Sequence, residues 1–448
     1  MSTSDPPIVH TLPAAGDVDG AAREARLVSR LTVRLVPLLM ICYLVGYLNR
    51  VNLGFAALQM NKAIGLTATD YGLGAGLFFV TYCVFEIPSN LLLHRFGAAR
   101  WISRIMISWG VCAAAMAFVR GPYSFYGARL LLGAAEAGFY PGVLFFLTLW
   151  FPAAHRARIL GLFIVGIPLS GIIGGPLSAY LLKLDGYYGL HGWQWMFLVE
   201  GAPAILLAPL VLWLIPDRPE KAKWLAPAER DWLTKTLAAE RGATETRRKF
   251  TVVQALFHPW VLFLALTYFS NVCLLNGITF FLPQIVKGFG ATTLQTGFIV
   301  AAPSLLALFA LLWWGRRSDA RQERYGHAAL ANLVGGAALM AAMLLQDPYA
   351  RVAAICVAFA CTLAFTAPFW AIPGSFLTGA ASAGGIAAIS ALGVVGGFVA
   401  PFVVGYFKDQ TGDFRVGLEL AAGLAMVISI PFYLIGRFVV AKPARPGD

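Results

Sequence analysis

The sequence predicts an all-α integral membrane protein, with twelve transmembrane helices arranged as two pseudo-symmetric six-helix bundles. Three observations carry that prediction. The composition is 59% hydrophobic and only 12% charged, with a mean hydropathy of +0.72, where an ordinary soluble domain is about 25% charged. The apolar residues gather into twelve long continuous runs, six on each side of one polar loop. The two halves also repeat short motifs at an offset close to half the chain.

A bilayer span takes about 20 apolar residues. Runs of that kind lie near 32–55, 69–93, 101–119, 124–149, 157–182 and 195–215, then near 256–284, 294–314, 328–345, 350–376, 382–408 and 415–440. They are long and continuously apolar, unlike the short alternating segments of a membrane β-barrel. The expected organisation is an N-terminal tail over 1–31, a first bundle over 32–215, a linker over 216–254, a second bundle over 255–440 and a C-terminal tail over 441–448.

Charge gives the orientation. A formal net charge of +12 would suit a nucleic-acid partner, but the basic residues recur in short clusters between apolar runs, which is a topology signal. With the N-terminus inside, 25 of the 34 Lys and Arg fall on inner segments, seven on outer ones, and Arg50 and Arg129 within spans. Both termini are therefore expected in the cytoplasm and no nucleic-acid partner is expected. The first thirty residues hold Pro6, Pro7, Asp17, Asp19, Arg23 and Arg26 without an apolar core. They read as a disordered tail without a cleavable signal peptide.

In the linker, Pro227 followed by Glu229, Arg230, Asp231, Trp232 and Leu233 reads as a helix start with acid in its first turn. Trp224 and Trp232 suit an interfacial position, and the segment reads as a lateral connector between the bundles. The internal echo pairs the turn Asn90 to Arg95 with Gly315 to Asp319, His94 standing 225 residues before Asp319. Gly174-Gly175-Pro176 recurs loosely around Gly396, Gly397 and Pro401. Related bundles with a site between them are an architecture of secondary transporters.

The turn after the second run is similar to the signature G-x-x-x-D-R-x-G-R-[RK] of the major facilitator superfamily, with Asn90 and His94 as departures; the turn after the eighth keeps Gly315, Asp319, Arg321 and Arg324. Further stretches resemble the anion:cation symporters of tartrate, phthalate and sugar acids within that superfamily. These are Tyr47-Leu-Asn-Arg50-Val-Asn, the run from Arg129 through Gly133 and Glu136 to Pro141, Gly192-Trp-Gln-Trp195 leading to Glu200-Gly201, and Phe281 to Val286. The resemblance covers about residues 35 to 440. It implies a proton-coupled importer of a small organic anion in a bacterial inner membrane. Partners would be the anion, protons and lipid, and the protein a monomer.

Arg50 and Arg129 are the candidate anion ligands. A charge at mid-membrane costs at least ~2.5–3.5 kcal/mol and should face a cavity or a partner. Two guanidiniums in one cavity would clamp a carboxylate; the alternative is a structural arginine paired with a helix end or with Glu136. Glu136 lies two turns after Arg129, on the same helix face and about 10 Å along the axis. Burial favours its neutral form and a nearby cation its charged form, which suits proton loading and release. The resemblance implies that coupling role, whereas the plainer reading is a buried acid that only neutralises an arginine. Asn49 stands where several proton-coupled relatives carry Asp, which opens the question of proton number.

Tyr47 and Tyr82 are candidate hydroxyl donors to the substrate, with helix packing as the alternative. Phe280, Phe281, Phe369 and Trp370 could add an aromatic wall, and Ser390 and Val394 a less polar one than relatives have. Arg95, Arg100, Asp319, Arg321 and Arg324 are expected to form a cytoplasmic gate. Glu86 and Glu200, beside Pro88 and Pro203, read as serving helix geometry. The six cysteines lie in apolar runs without metal-ligand spacing, and Gly72, Gly74 and Gly76 read as helix packing. There is no H-E-x-x-H, G-x-S-x-G or Walker-type loop, so no enzyme, metal or cofactor is expected. A non-transporting sensor, an exchanger, a uniporter and an exporter remain alternatives on the same fold.

Overall fold

The computed structural model describes residues 15–245, 258–373 and 380–436. The tail segments 1–14 and 437–448 and the end of the linker lie outside them. Sixteen α-helices occur among the described residues: α1 (Ala15–Ala63), α2 (Ala68–Phe96), α3 (Ala98–Ala115), α4 (Pro122–Glu136), α5 (Phe139–Trp150), α6 (Ala153–Ile164), α7 (Gly166–Leu181), α8 (Gly192–Leu214), α9 (Pro227–Glu245), α10 (Pro259–Gly288), α11 (Thr293–Arg321), α12 (Tyr325–Leu344), α13 (Pro348–Ala371), α14 (Ala380–Val394), α15 (Gly396–Thr411) and α16 (Arg415–Ile435). Among the described residues, twelve spans are long and apolar enough to cross a membrane. Three of them are broken: α4–α5, α6–α7 and α14–α15 each form one span from two helices.

The pseudo-symmetry shows first in the caps. Thr67 accepts from Asp70 N at the start of α2, and Asp70 reaches back to Thr67 N. Thr292 and Gln295 do the same at the start of α11, 225 residues later. Such a reciprocal cap satisfies two of the orphan donors of a helix start. The same offset relates Gly72 to Gly297 and Pro176 to Pro401, so the register of the repeat is 225 there, not the looser spacing read from the glycine pairs.

Close approach between the halves gathers at one end. A Cβ on Gly72 of α2 would lie 2.1 Å from the Pro401 carbonyl oxygen of α15. Its repeat mate Gly297 of α11 crosses Gly175 of α7, where a Cβ on Gly297 would lie 2.7 Å from the Gly175 carbonyl oxygen. Four hydrogen bonds cross the interface here. Asp409 of α15 accepts from Ala68 N (3.0 Å), Thr69 N (2.7 Å) and the Thr69 hydroxyl (2.5 Å), capping α2 from the opposite half. Tyr71 donates to the Phe280 carbonyl at 2.9 Å. Towards the other end Phe85, Ile87 and Leu91 of α2 are exposed.

The first helix starts at Ala15, within the stretch the sequence reading gave to a disordered tail. Its early turns have partners: Glu24 meets His155 at 2.9 Å and Arg30 meets Glu229 at 3.0 Å. The linker helix α9 starts at Pro227, where the sequence places it. It lies against the first bundle. Glu240 pairs with Arg156 (2.7 Å) and caps Ala153 N (2.9 Å), and Trp224 stacks on buried Trp150. Trp224 is half-buried and packs the linker onto the first bundle.

Candidate functional site

The site forms where α1, α2 and α4 meet beneath the closed end. Arg50 of α1 donates from Nη2 to Glu136 Oε1 at 2.8 Å. Glu136 is the last residue of α4. The span breaks directly after it, because Ala137 is extended (ψ 132°) and Gly138 is left-handed (φ 88°). A side chain at Gly138 would also strike Ser89 Oγ at 2.2 Å, so only glycine fits. The break turns the negative end of the α4 dipole towards Glu136, and Arg50 offsets that field.

Aromatic rings enclose the Arg50 guanidinium. Its Cζ lies 4.7 Å from the Tyr47 ring, 5.2 Å from Phe78, 5.7 Å from Tyr82 and 5.8 Å from Phe79. Each desolvated cation–π contact is worth about 0.5–2 kcal/mol. Phe79 in turn meets Phe280 and Gly397 of the second half, so Arg50 stands one ring away from the interface. Two polar atoms of the pair, Arg50 Nε and Glu136 Oε2, are shielded from solvent and have no hydrogen-bond partner. A buried donor and acceptor left unused beside each other are costly unless a ligand or proton completes them.

Arg129 is placed differently. It is 2% exposed and donates to the Gly74 and Ala75 carbonyls of α2, both at 3.2 Å. Its Cζ lies 4.9 Å from the Phe78 ring, so one ring stands against both guanidiniums. The structure thus brings together Arg50, Glu136, Tyr47 and Tyr82, and ties Arg129 to the backbone behind them. Tyr47 and Tyr82 meet Arg50 through their ring faces. Asn49 bonds back to the Val45 carbonyl of its own helix at 3.4 Å.

Phe78 and Phe79 escaped the sequence reading, since an aromatic pair in an apolar span signals nothing by itself. The break after Glu136 had a signal, the glycine three residues before an in-run proline at Pro141. In the second half Tyr268 stacks against Phe369 (5.6 Å) and meets Trp370 edge-on (5.0 Å), whereas Phe280 and Phe281 pack against Phe79 and Tyr71 of the first half. Glu200 is buried and accepts the Ser178 hydroxyl at 2.9 Å, tying α8 to α7.

Among the described residues, the proposed gate residues form no ion pair between the two halves in this conformer. Asp319, in the last turn of α11, pairs with Arg324 at the start of α12, and Arg95 rests beside the Phe96 ring. Among the described residues no ion pair joins Arg95, Arg100 or Arg321 to a residue of the other half.

The fold has counterparts in known proteins. The family model of the Major Facilitator Superfamily matches residues 39–401. The chain belongs to that superfamily. A putative tartrate transporter of Agrobacterium vitis is 45% identical, over 92% of this chain and 95% of its own. A quinolone resistance transporter of Acinetobacter baumannii is 43% identical, over 92% of this chain and 95% of its own. The partially occluded inward-open structure of the xylose transporter XylE from E. coli superposes with a TM-score of 0.72, covering 94% of this chain and 99% of its own; at 12% identity it shares the fold alone. As a superfamily member in the anion:cation symporter-like branch, the chain is a multi-pass membrane protein and a secondary transporter of small organic solutes, not an enzyme.

Proposed function

We infer that this transporter imports a small organic anion in symport with protons, by alternating access, across a bacterial inner membrane. The observation that carries the reading is the Arg50–Glu136 pair, with its unused donor Nε and unused acceptor Oε2. A carboxylate can take the guanidinium from Glu136 only if Glu136 gives up its negative charge, and a proton on the carboxyl does that. Proton and anion therefore load together. When both leave, Glu136 recovers Arg50 and the neutral pair lets the empty carrier return. Arg129, held behind Phe78, adds positive charge without leaving α2.

The charge asymmetry of the loops supports cytoplasmic termini. In that orientation the Asp409–Thr69 end faces outward and is closed in this conformer. The aromatic cage of Tyr47, Phe78, Phe79 and Tyr82 extends the substrate class to aromatic acids. The tartrate name carried by the Agrobacterium relative supports import of a carboxylate. The drug-resistance name of the Acinetobacter relative favours export of an aromatic acid as a second reading. Proteoliposomes with an imposed pH gradient decide between them. Labelled tartrate, a sugar acid, phthalate and a quinolone carboxylate form the panel. Accumulation on the alkaline side supports symport; accumulation only on the acidic side supports proton-driven export, and accumulation of none removes the anion reading.

A further inference from the structure

A polar cavity lies at the closed end of the second bundle, away from Arg50. Its volume is about 250 Å³, and Gln284, Arg351, Lys408, Asp413 and the rings of Phe289 and Phe414 line it. The ends of α10, α13 and α15 bring these residues together.

Three of the four polar side chains that line it, Arg351, Lys408 and Gln284, offer donors. Arg351 gives its Nε and Nη2 to the Leu345 carbonyl, which leaves Nη1 uncommitted, and its Cζ lies 5.3 Å from the Phe289 ring. Lys408 donates to the Gly412 carbonyl and lies 4.7 Å over the Phe414 ring. Backbone oxygens and ring faces thus hold both cations, and neither forms an ion pair among the described residues. Gln284 Nε2 is shielded from solvent and has no hydrogen-bond partner. The one acid, Asp413, is exposed at the rim and accepts from Arg415 N. Two unpaired cations and an orphaned amide donor around one small cavity are complementary to an anionic ligand.

We propose that this cavity is a peripheral binding site for a small carboxylate solute, held by Arg351, Lys408 and Gln284. The ligand class rests on the organic-anion reading above; the site itself rests on its own residues. In the proposed orientation it opens to the outside. Lys408 adjoins Asp409, the residue that caps α2 across the interface. An anion there concentrates substrate next to the outer closure, which raises encounter rates in a salt-dependent way.

Gly288 lines the cavity, and a Cβ on it would meet nothing within 4 Å. A G288C protein carrying a trifluoromethyl thiol label therefore reads the cavity by fluorine NMR, in nanodiscs of zwitterionic lipid. Wild-type protein treated with the same reagent supplies the background of the six native cysteines. Tartrate and phthalate are expected to shift the signal saturably, and the shift to weaken several-fold from low to high salt. It should survive Arg50→Ala and vanish in the Arg351→Gln, Lys408→Gln double variant. A silent label, or a shift that persists in the double variant, overturns the site; a shift lost with Arg50→Ala assigns it to the central pair instead. A shift that needs only added anionic lipid, with no carboxylate, assigns the cavity to headgroups and overturns the solute reading. If no carboxylate is transported while the shift remains, only the central transport reading fails.

Discussion

Arg50 and Glu136 meet at 2.8 Å where α1 passes the broken end of α4, and each keeps one buried polar atom without a partner. The pair is neutral as a unit but incomplete as a hydrogen-bonding site. Such a pair is poorly suited to a purely structural role, because a buried ion pair contributes little net stability unless its other hydrogen bonds are made. It suits a site whose missing partners arrive with the substrate.

The first prediction concerns Arg50. Arg50→Ala should weaken carboxylate binding by about 2–5 kcal/mol, at least ~30-fold in Kd. Arg50→Lys should recover only a small part, since an ammonium cannot offer the planar fork. Titration of purified, folded protein checks this, and a near-normal Kd in the alanine variant removes the ligand role.

Arg129 separates a positioning role from a direct one. Its bonds to the Gly74 and Ala75 carbonyls hold α2 against α4. Arg129→Met should lower the melting temperature clearly, by several degrees for a loss of a few kcal/mol. Arg129→Lys should bind substrate within about tenfold of wild type (~1.4 kcal/mol). If the lysine variant loses binding as fully as Arg50→Ala while staying folded, both arginines touch the carboxylate.

The closed end depends on backbones touching. Gly72→Val would push a side chain into the Pro401 carbonyl, and Gly297→Val would do the same against Gly175. Each variant should still insert, because the fault appears only on closing, yet turn over more than about tenfold more slowly. Overpacking of this kind costs about 1–3 kcal/mol, enough to move a two-state equilibrium substantially. Wild-type rates in both variants would show that the close approach is dispensable.

Asp319 tests the gate at the other end. In this conformer its one ion pair among the described residues is with Arg324. If it also grips the opposite half when that end closes, Asp319→Asn should cut uptake several-fold and change Kd by less than about threefold. The physical reason is that the residue biases the conformers without touching the ligand. Side-by-side uptake and binding measurements check it, and unchanged uptake counts against a gating role.

The sequence made the twelve spans legible because lipid demands long apolar helices, and the demand leaves a mark on every run. It also marked Arg50, Arg129 and Glu136, since charge in an apolar run has few explanations. It did not reveal who pairs with whom. Helix spacing put Glu136 on the face of Arg129, yet Arg129 donates to the Gly74 and Ala75 carbonyls and the Glu136 carboxylate meets Arg50. Phe78 and Phe79 were invisible for the opposite reason: an aromatic residue in a membrane helix is ordinary until a cation is seen above it. The 225-residue offset was legible between His94 and Asp319, but which glycines it pairs was not, because glycines are frequent enough to align by chance; Gly72 and Gly297 were matched only by their equivalent crossings.

The central claim is that one proton on Glu136 exchanges for Arg50's grip on the substrate. Glu136→Gln tests it, because glutamine keeps the shape and hydrogen bonding of the neutral acid and cannot release a proton. Counterflow and pH-gradient-driven accumulation should be measured on one proteoliposome preparation, with the substrate found in the panel above. The account predicts that counterflow persists, since Arg50 is free to hold the anion, and that accumulation against a gradient is lost. Accumulation retained at the wild-type level would contradict it and place the coupling proton elsewhere, Glu86 being the next acid on α2.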